Sequence, residues 1–224
     1  MIISDRMKFV FFHNPKCGGT SFRRHLKDWD DRFNSYWLFG DHYGVKVDKA
    51  HMPLYIFQCY HPVDYNKALS YTSFMFCRNP YTRFISAFNE IHKSFYKEYS
   101  ESKVSLEEYS AKVNDFASNM DAVCVLGRKI HYRHFTKQVL YANNQGKNIV
   151  DVVIKLEDMQ PGLEKIKILN EDLYKLVSSD VKMQNTKPMP SAGKYLDILN
   201  SETLRIINSL YEDDFKFFEY EMVK

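Results

Sequence analysis

The sequence predicts an α/β protein with a mainly parallel sheet flanked by helices. Short apolar runs rich in β-forming residues alternate with stretches whose apolar residues recur at helical spacing, which is typical of parallel sheets. A loop with two adjacent glycines also joins the first apolar run directly to the first helical stretch. Because the 224 residues contain no linker, repeat or shift in composition, we expect one domain over residues 1–224.

The first half of the chain alternates strand and helix signals. Three short apolar runs predict buried strands, at residues 7–12 (MKFVFF), 54–59 (LYIFQC) and 73–77 (SFMFC). Two stretches have apolar residues at helical spacing, with Phe22, Leu26 and Trp29 in the first and Phe84, Phe88, Ile91 and Phe95 in the second. Pro80 suits the first turn of the second of these helices.

The second half of the chain is mostly helical in pattern, with one further strand. Residues 150–156 (VDVVIKL) predict that strand. The predicted helices cover residues 105–117, 134–142, 162–169, 172–179 and 201–211.

The charge balance and the cysteines exclude several classes of protein. Lys and Arg number 31 against 28 Asp and Glu, a net charge of +3, which is too balanced for a protein that coats nucleic acid. No window approaches the ~20 apolar residues of a membrane span, and no signal-peptide run follows Met1. The four cysteines lie far apart without a CxxC pair, so we expect reduced thiols and a cytoplasmic location.

The first candidate site is the loop at residues 14–21. Two glycines between a strand and a helix let backbone N–H groups approach a phosphate, and the helix N-terminus adds partial positive charge. Thr20 and Ser21 add hydroxyl donors, and Lys16 adds a full charge. Lys16 precedes the glycines, whereas the lysine of an ATP-binding Walker A loop follows them. We expect an anion site here; the alternative is a tight Gly-Gly turn with Thr20 as a plain N-cap.

The second candidate site covers residues 78–86 (RNPYTRFIS). Arg78 follows a predicted strand, at the end where open α/β sheets bind ligands. Ser86 lies two turns into the next helix, and Arg83 lies three residues before it, on a neighbouring face. A guanidinium and a hydroxyl together suit a second phosphate. The alternative is an arginine that caps a strand end and a serine that packs within a helix.

Together the two segments resemble the donor-binding motifs of sulfotransferases, especially those of the carbohydrate branch. FFHNPKCGGTSF is similar to the family's 5′-phosphosulfate loop, whose pattern is close to HIPKTGGTS, and Cys17 stands where the family often has threonine. FMFCRNPYTRFISAF is similar to the 3′-phosphate motif, FVRNPxxRxxSAY. Weaker similarities follow along the chain, at His134-Phe135 with Gln138, Leu156-Glu157-Asp158, Tyr211 and Asp214-Phe215.

The resemblance implies a P-loop-like fold and the donor 3′-phosphoadenosine 5′-phosphosulfate (PAPS). Such an enzyme transfers a sulfuryl group by in-line displacement to a hydroxyl, here of a carbohydrate or glycolipid acceptor, and we expect no metal. Lys16 is also the predicted catalytic residue that stabilises charge on the leaving phosphate. The resemblance assigns the 3′-phosphate to Arg78 and Ser86. It places the 5′ end of the donor on the loop residues Pro15, Lys16, Cys17, Gly18, Gly19, Thr20 and Ser21.

The acceptor hydroxyl needs a general base. Related carbohydrate sulfotransferases that use a histidine base place it between the two donor motifs, where His42, His51 and His61 lie. We predict His61, because it follows the strand predicted over residues 54–59 and Pro62 favours an extended conformation at His61. His51, His42 and Asp64 stay open as alternatives.

The other histidines have different predicted roles. His131 and His134 have the HxxH spacing of zinc ligands, but without a third ligand nearby we interpret them as surface or substrate-contact residues. For His13, beside the loop, we expect a positioning role.

Two further functions stay open at this point. One is a nucleotide kinase or other P-loop phosphotransferase, which the missing GK[ST] order and the lack of an obvious magnesium-binding Asp at a strand end disfavour. The other is a noncatalytic module that binds a nucleotide or a glycan. The loops at residues 30–50 and 96–133 are the expected acceptor pocket, and Lys187 and Lys194 the expected lid. The sequence specifies neither the acceptor nor the oligomeric state.

Overall fold

Short strands and helices alternate along the chain. The computed structural model describes residues 1–42, 44–184 and 195–224, and for residues 179–184 it describes the backbone alone. Lys187 and Lys194, the expected lid lysines, lie outside the described residues. The strands are β1 (Ile2–Ser4), β2 (Phe9–Phe12), β3 (Phe39–His42), β4 (Val45–Asp48), β5 (Thr72–Cys77), β6 (Asn143–Asn144), β7 (Lys147–Asn148) and β8 (Val152–Lys155). The α-helices are α1 (Gly19–Leu26), α2 (Leu54–Tyr60), α3 (Pro62–Ala68), α4 (Pro80–Ile91), α5 (Lys93–Ser100), α6 (Leu106–Ser118), α7 (Gln160–Leu169), α8 (Glu171–Gln184), α9 (Ser201–Leu210) and α10 (Glu212–Phe217). Short 3₁₀ helices cover Lys27–Trp29, Lys49–His51, Ala122–Val125, Ile130–Phe135 and Gln138–Tyr141.

Four strands form the central sheet, in the order β1-β2-β5-β8. β2, β5 and β8 run parallel, with Phe11 beside Phe74 and Phe74 beside Val152. β1 pairs antiparallel with β2 at one edge. Parallel strands need crossover connections, and these connections carry the helices. The predicted fold class, an α/β protein with a mainly parallel sheet flanked by helices, is confirmed.

Alternate residues of the strands face opposite helical layers. Phe9 and Phe11 pack with residues of α1, α7 and α8. Val10 and Phe12 pack on the other face, with residues of α2 and α3. All four side chains are almost inaccessible to solvent. Burying each such side chain contributes ~1.5–3 kcal/mol, so the short strand β2 is fixed by packing on both faces.

A third, aromatic-rich cluster joins α4, α6, α9 and α10. Phe84 and Phe88 of α4 lie at its centre, with ring centroids 5.4 Å from Phe135 and 6.1 Å from Tyr109 respectively. This packing fixes α4, whose first turns carry the second candidate site. Across the described residues, no helix combines the length and the apolar character needed to cross a membrane.

The strand predicted over residues 54–59 is wrong, because this segment forms helix α2. Pro53 precedes its first turn, and Leu54 and Phe57, three residues apart, are both buried on one face. A short apolar run has no periodicity that separates a buried strand from a buried helix. Packing of the face that carries Leu54 and Phe57 therefore determined that this segment is a helix and not a strand.

Other observed helices and strands have different bounds from the predicted ones, for local reasons. The helix predicted over residues 134–142 is replaced by two 3₁₀ helices, because Thr136 and Lys137 between them have extended backbone. The first predicted strand begins at Phe9, since Lys8 has a φ of 53°, a turn conformation. The very short strand β1 and the hairpins β3-β4 and β6-β7 were not predicted.

Candidate active site

Three parallel strands end at the same edge of the sheet, where a pocket of about 390 Å³ opens. β2, β5 and β8 end at Phe12, Cys77 and Lys155, so the loops that follow them meet. We call this cavity the sheet-edge pocket; its lining consists of His13, Lys16, Gly18, Gly19, Thr20, Ser21, His51, Arg78, Ser86, Glu90, His134 and Leu156. The two candidate sites therefore line one pocket.

The loop before α1 contains two residues with a left-handed backbone. The φ angles of Lys16 and Gly18 are 64° and 76°. Gly18 directly precedes α1, and no side chain caps the first turn of this helix. The N–H of Ser21 donates to the Gly18 carbonyl at 3.2 Å, while those of Gly19 and Thr20, at the very start of α1, are available to an anion, as the loop's sequence predicts.

Gly19, the first residue of α1, makes a close approach to His13. A Cβ at Gly19 would lie 2.1 Å from Cδ2 and 2.5 Å from Nε2 of His13. The imidazole is held in place, because Trp37 stacks on it at 5.6 Å and His51 lies 4.4 Å away, both measured between ring centroids. Glycine is therefore the residue that this contact accommodates.

Two residues assigned to the donor site, Pro15 and Cys17, lie beneath the loop and do not line the sheet-edge pocket. Both are buried. The Cys17 thiol donates to Oε1 of Gln138 at 3.3 Å, and burial raises its pKa to about 12. The Pro15 carbonyl accepts from Nε of Arg83. The turn at Lys16 directs these two residues inward, so their contacts support the loop from below.

Arg78 and Ser86 bring a guanidinium and a hydroxyl to the same pocket. Nε of Arg78 donates to Oγ1 of Thr82 at 3.0 Å, and Nη1 donates to the Lys16 carbonyl at 3.5 Å. Within the described part of the chain, these bonds leave Arg78 without a carboxylate partner. Burial lowers the pKa of Arg78, as expected for a cation that is poorly solvated.

Lys16 forms an ion pair with Glu90 of α4, with 2.8 Å between Nζ and Oε2. Lys93 contacts the other carboxylate oxygen at 2.6 Å. Burial raises the pKa of Glu90, but the hydrogen bonds from Lys16 and Lys93 outweigh it and bring that pKa to about 2. Glu90 is therefore ionised at neutral pH and competes with any anionic ligand for Lys16.

Three histidines line the pocket, and their rings form one cluster. The ring centroid of His51 lies 4.4 Å from that of His13 and 5.4 Å from that of His134. Nδ1 of His51 is 3.2 Å from the His13 carbonyl oxygen. A carbonyl only accepts, so Nδ1 carries the proton and a neutral His51 keeps Nε2 free to accept one. Burial lowers the pKa of His51 to about 4 and that of His134 to about 3.

Comparison with known families decides the class of protein. A family model described as "Sulfotransferase family" matches residues 1–221. The chain belongs to the sulfotransferase family. This match covers nearly the whole chain, and it confirms the resemblance at the level of the sulfotransferase family. A search of curated proteins and a search of solved structures gave no significant match.

In this sulfotransferase, Gln138 connects the two donor motifs. Its fully buried side chain accepts from Nδ2 of Asn14 at 3.0 Å and from the Arg78 backbone N–H at 3.0 Å. Its amide also donates to the Arg78 carbonyl at 2.8 Å. The sequence singled out Gln138 only as a weak similarity, because its partners lie 60 and 124 residues away.

The other weak similarities also mark supporting residues. The Asp214 carboxylate accepts from the backbone N–H groups of Gln138 at 2.9 Å and Val139 at 2.8 Å. The Glu157 carboxylate accepts from the N–H of Asn79, the residue before α4, at 2.8 Å. These contacts orient the segments that line the sheet-edge pocket, which is a structural role.

Arg83 does not line the sheet-edge pocket, although its position beside Ser86 suggested a phosphate contact. The side chain is buried, and it donates to the carbonyls of Pro15, His134 and Thr136. Through these three hydrogen bonds, Arg83 holds the first donor loop against the segment around residue 135.

His61, the predicted general base, lies outside the lining of the sheet-edge pocket. The prediction depended on a strand at residues 54–59, and that segment is α2. His61 follows the last turn of this helix, and its ring contacts Tyr36 and His42 at centroid distances of 5.0 and 5.3 Å. It therefore does not stand at the carboxyl edge of the sheet.

The alternatives to His61 differ in position. His42 is outside the pocket and stacks on Tyr60. Asp64 binds Arg32 and Tyr36; burial raises the pKa of Asp64, but these hydrogen bonds lower it overall, which weakens it as a base. Of the four candidates, only His51 lines the sheet-edge pocket.

The two histidines of the HxxH pattern lie in different environments. His134 is buried and lines the pocket, whereas His131 is exposed and does not. Among residues 1–42, 44–184 and 195–224, no group of three or more His, Cys, Asp or Glu side chains is placed to hold a metal ion.

Proposed function

We propose that this sulfotransferase transfers the sulfuryl group of PAPS to a hydroxyl of a carbohydrate or glycolipid acceptor. One observation carries the proposal: the cations of both motifs, Lys16 and Arg78, line the sheet-edge pocket. Its volume of about 390 Å³ falls within the range of ~300–1,000 Å³ that is typical of small-molecule sites.

The pocket residues fit a nucleotide with phosphates on both its 5′ and 3′ oxygens. The first turn of α1 lacks a side-chain cap, and Thr20 and Ser21 add hydroxyls there, which suits the 5′-phosphosulfate. The guanidinium of Arg78, without a carboxylate partner in the described residues, suits the 3′-phosphate together with Ser86. A poorly solvated, unpaired cation is costly, and a bound phosphate offsets that cost.

Lys16 is the residue that would stabilise the transition state. Bound PAPS supplies the sulfuryl group, which passes in line to the acceptor oxygen while the bond to the 5′-phosphate breaks and 3′,5′-ADP leaves. The Lys16 ammonium neutralises negative charge that grows on the leaving phosphate. It gives up its contact with Glu90 in doing so.

His51 is the general base that the geometry favours, in place of His61. It lines the sheet-edge pocket, and its hydrogen bond to the His13 carbonyl leaves Nε2 as the proton acceptor. The acceptor hydroxyl loses its proton to Nε2 as its oxygen bonds to sulfur. His13 acts as the positioning residue, in keeping with its predicted role.

The donor assignment is tested by thermal unfolding with 3′,5′-ADP and with AMP. A ligand at 100 times its dissociation constant adds ~2.7 kcal/mol, a rise of ~5–10 °C for a chain of this size. We expect this rise with 3′,5′-ADP and a much smaller one with AMP. Arg78→Ala should abolish the difference, while the exposed control Arg205→Ala should preserve it. Equal shifts from both nucleotides in the wild type would contradict the role given to Arg78 and Ser86.

The reaction is tested by transfer of radiolabelled sulfate from PAPS to a panel of glycans and glycolipids. We expect His51→Ala to lose ~10²–10⁴ in kcat and His61→Ala to stay near the wild-type rate, with both variants binding 3′,5′-ADP. The reverse pattern would return the base to His61. A protein that binds 3′,5′-ADP but sulfates no member of the panel would contradict the acceptor class. The cytoplasmic location stays a prediction, which cell fractionation tests.

A further inference from the structure

Lys93 is a cation beside the sheet-edge pocket to which the proposed function gives no role. Its Nζ lies 2.6 Å from Oε1 of Glu90, whose Oε2 is 2.8 Å from Nζ of Lys16. One carboxylate therefore joins two lysines, each through a different oxygen. Lys93 does not line the sheet-edge pocket, so a donor in that pocket meets Lys16 and not Lys93.

The two lysines reach Glu90 in different ways. Lys93 lies three residues further along the chain, at the start of α5, and its side chain is 72% exposed. Lys16 comes from the donor loop, 74 residues away in sequence, and its side chain is 21% exposed. The short connection keeps Lys93 within reach of Glu90, whereas a bound anion can draw Lys16 away.

The stability of α5 does not explain a cation at residue 93. Lys93 is the first residue of α5, and no side chain caps that end of the helix. The partial positive charge of a helix N-terminus makes a lysine less favourable there than an acidic residue. The contact with Glu90 offsets this cost, so the position of Lys93 is explained by Glu90.

A cavity of about 300 Å³ gives Glu90 and Lys93 room to move together. We call it the α4–α5 cavity; its lining consists of Lys16, Ser86, Asn89, Glu90, Lys93 and Tyr96. Lys16, Ser86 and Glu90 line the sheet-edge pocket as well. The Lys16–Glu90 ion pair thus borders both cavities, and when the pair opens, Glu90 can turn towards Lys93 and away from the donor.

Separation of Lys16 from Glu90 without a second cation would leave a partly buried carboxylate unpaired. Such a charge is costly, because burial removes the water that would otherwise solvate it. Lys93 limits this cost, since Oε1 keeps its partner whether or not Oε2 does. A shared carboxylate also holds each lysine less strongly, because the two ammonium groups repel each other. Lys93 therefore weakens the hold of Glu90 on Lys16.

We propose that Lys93 is a positioning residue, which keeps Glu90 paired while Lys16 moves from Glu90 to the 5′-phosphosulfate of the donor. This inference rests on the proposed function, because it needs Lys16 to act on the donor. It adds to the machinery a residue that does not line the donor's pocket. Removal of Lys93 then holds Lys16 more firmly on Glu90, and this effect requires the charge of Glu90.

Calorimetric titration of 3′,5′-ADP tests the dependence on Glu90. Lys93→Met should weaken binding by ~2–5-fold, the range expected for one exposed ion pair, and should lower kcat with PAPS by a similar factor. Glu90→Gln/Lys93→Met should match Glu90→Gln in both measurements, and Lys93→Arg should behave as the wild type. Lys97→Met is the matched control, because Lys97 lies in the same helix, is 75% exposed and pairs with Glu101. It removes the same charge and should change neither binding nor kcat.

Two outcomes of these titrations would overturn the proposal. Normal binding and kcat in Lys93→Met would show that Lys93 does not act on Lys16. A loss that persists in the Glu90→Gln background, or that Lys97→Met reproduces, would show that Lys93 attracts the nucleotide directly or at long range and does not act through Glu90.

A measurement without nucleotide separates this inference from the proposed function. If 3′,5′-ADP does not bind to the wild type, the proposed function fails, and unfolding in urea still tests the shared carboxylate. The double-mutant cycle of Lys16→Met and Glu90→Gln should give a larger coupling in the Lys93→Met background than with Lys93 present. An equal or smaller coupling would show that Lys93 does not weaken the Lys16–Glu90 pair, which the proposal requires.

Discussion

Replacing Gly19 with alanine tests how the donor loop is built. The backbone at Gly19 lies in a helix, so alanine is conformationally acceptable there and would by itself favour the helix by up to ~1 kcal/mol. The added methyl, however, would lie 2.1 Å from Cδ2 of His13. The two effects have opposite signs, and their balance is measurable.

The cost of this contact follows from the surroundings of His13. His13 is 4% exposed, and its ring contacts the rings of Trp37 and His51, so a shift of the imidazole away from Gly19 disrupts both contacts. Inserting one methyl into a packed site costs ~1–3 kcal/mol, which exceeds the gain in helix propensity. Subtracting a helix-propensity gain of about 1 kcal/mol from this cost leaves an expected net loss of up to ~2 kcal/mol, or up to ~8 °C in melting temperature. We also expect weaker binding of 3′,5′-ADP, because the displaced ring shifts the loop.

Calorimetry on three variants (Gly19→Ala, His13→Ala and the double variant) and one control tests this explanation. In the double variant His13→Ala/Gly19→Ala the contact is absent, so the double variant should be more stable than the sum of the two single changes predicts. Gly146→Ala, at a glycine with a φ of 82° and no atom near its would-be Cβ, controls for backbone strain and should leave nucleotide binding unchanged. A Gly19→Ala protein as stable as the wild type, with normal affinity for 3′,5′-ADP, would refute the close approach to His13.

Three other outcomes can be measured on the same pocket. Lys16→Ala should lower kcat by ~10²–10³ and weaken 3′,5′-ADP binding by less, as kinetics with calorimetry would show; a loss confined to affinity would make Lys16 only a binding residue. Glu90→Gln should tighten 3′,5′-ADP binding by ~3–10-fold, since it removes an anion that competes for Lys16; unchanged or weaker binding argues against that competition. The free energy of unfolding, measured in urea, should fall as the pH is lowered from 6.5 to 4. The pKa of His51 is about 4 in the folded protein, so His51 binds a proton at a higher pH in the unfolded chain than in the folded one. The half-buried ring limits this loss to ~1–3 kcal/mol, and His51→Asn should flatten the slope; an identical slope in that variant would assign it to other groups.

The donor loops were predictable because each is contiguous in sequence. A strand, two glycines and a helix within residues 9–26 define the first loop without any distant contact. Arg78 and Ser86 likewise belong to one strand end and the helix that follows it. Local rules of backbone geometry suffice to predict both loops. Because parallel strands end at the same edge of a sheet, the two loops also come together there.

The residues that complete the pocket could not be predicted in the same way. His51 and Gln138 reach the sheet edge through tertiary packing, from two 3₁₀ helices that no periodicity marks. The prediction of His61 rested on the strand predicted over one ambiguous six-residue run, and that segment is helix α2. Pro15 and Cys17 lie in the predicted loop, but sequence alone did not specify which of its residues point into the core.

Under the proposed function, the electrostatics of the sheet-edge pocket link proton acceptance by His51 to binding of the donor. At neutral pH its positive charge comes from Lys16 and Arg78, while the low pKa of His51 keeps that imidazole neutral and only weakly basic. A multiply charged nucleotide adds negative charge close to His51, and nearby negative charge raises the pKa of an imidazole. Under the proposed function, a bound donor would therefore make His51 a stronger base, with a pKa nearer to neutrality, where general-base catalysis is most effective.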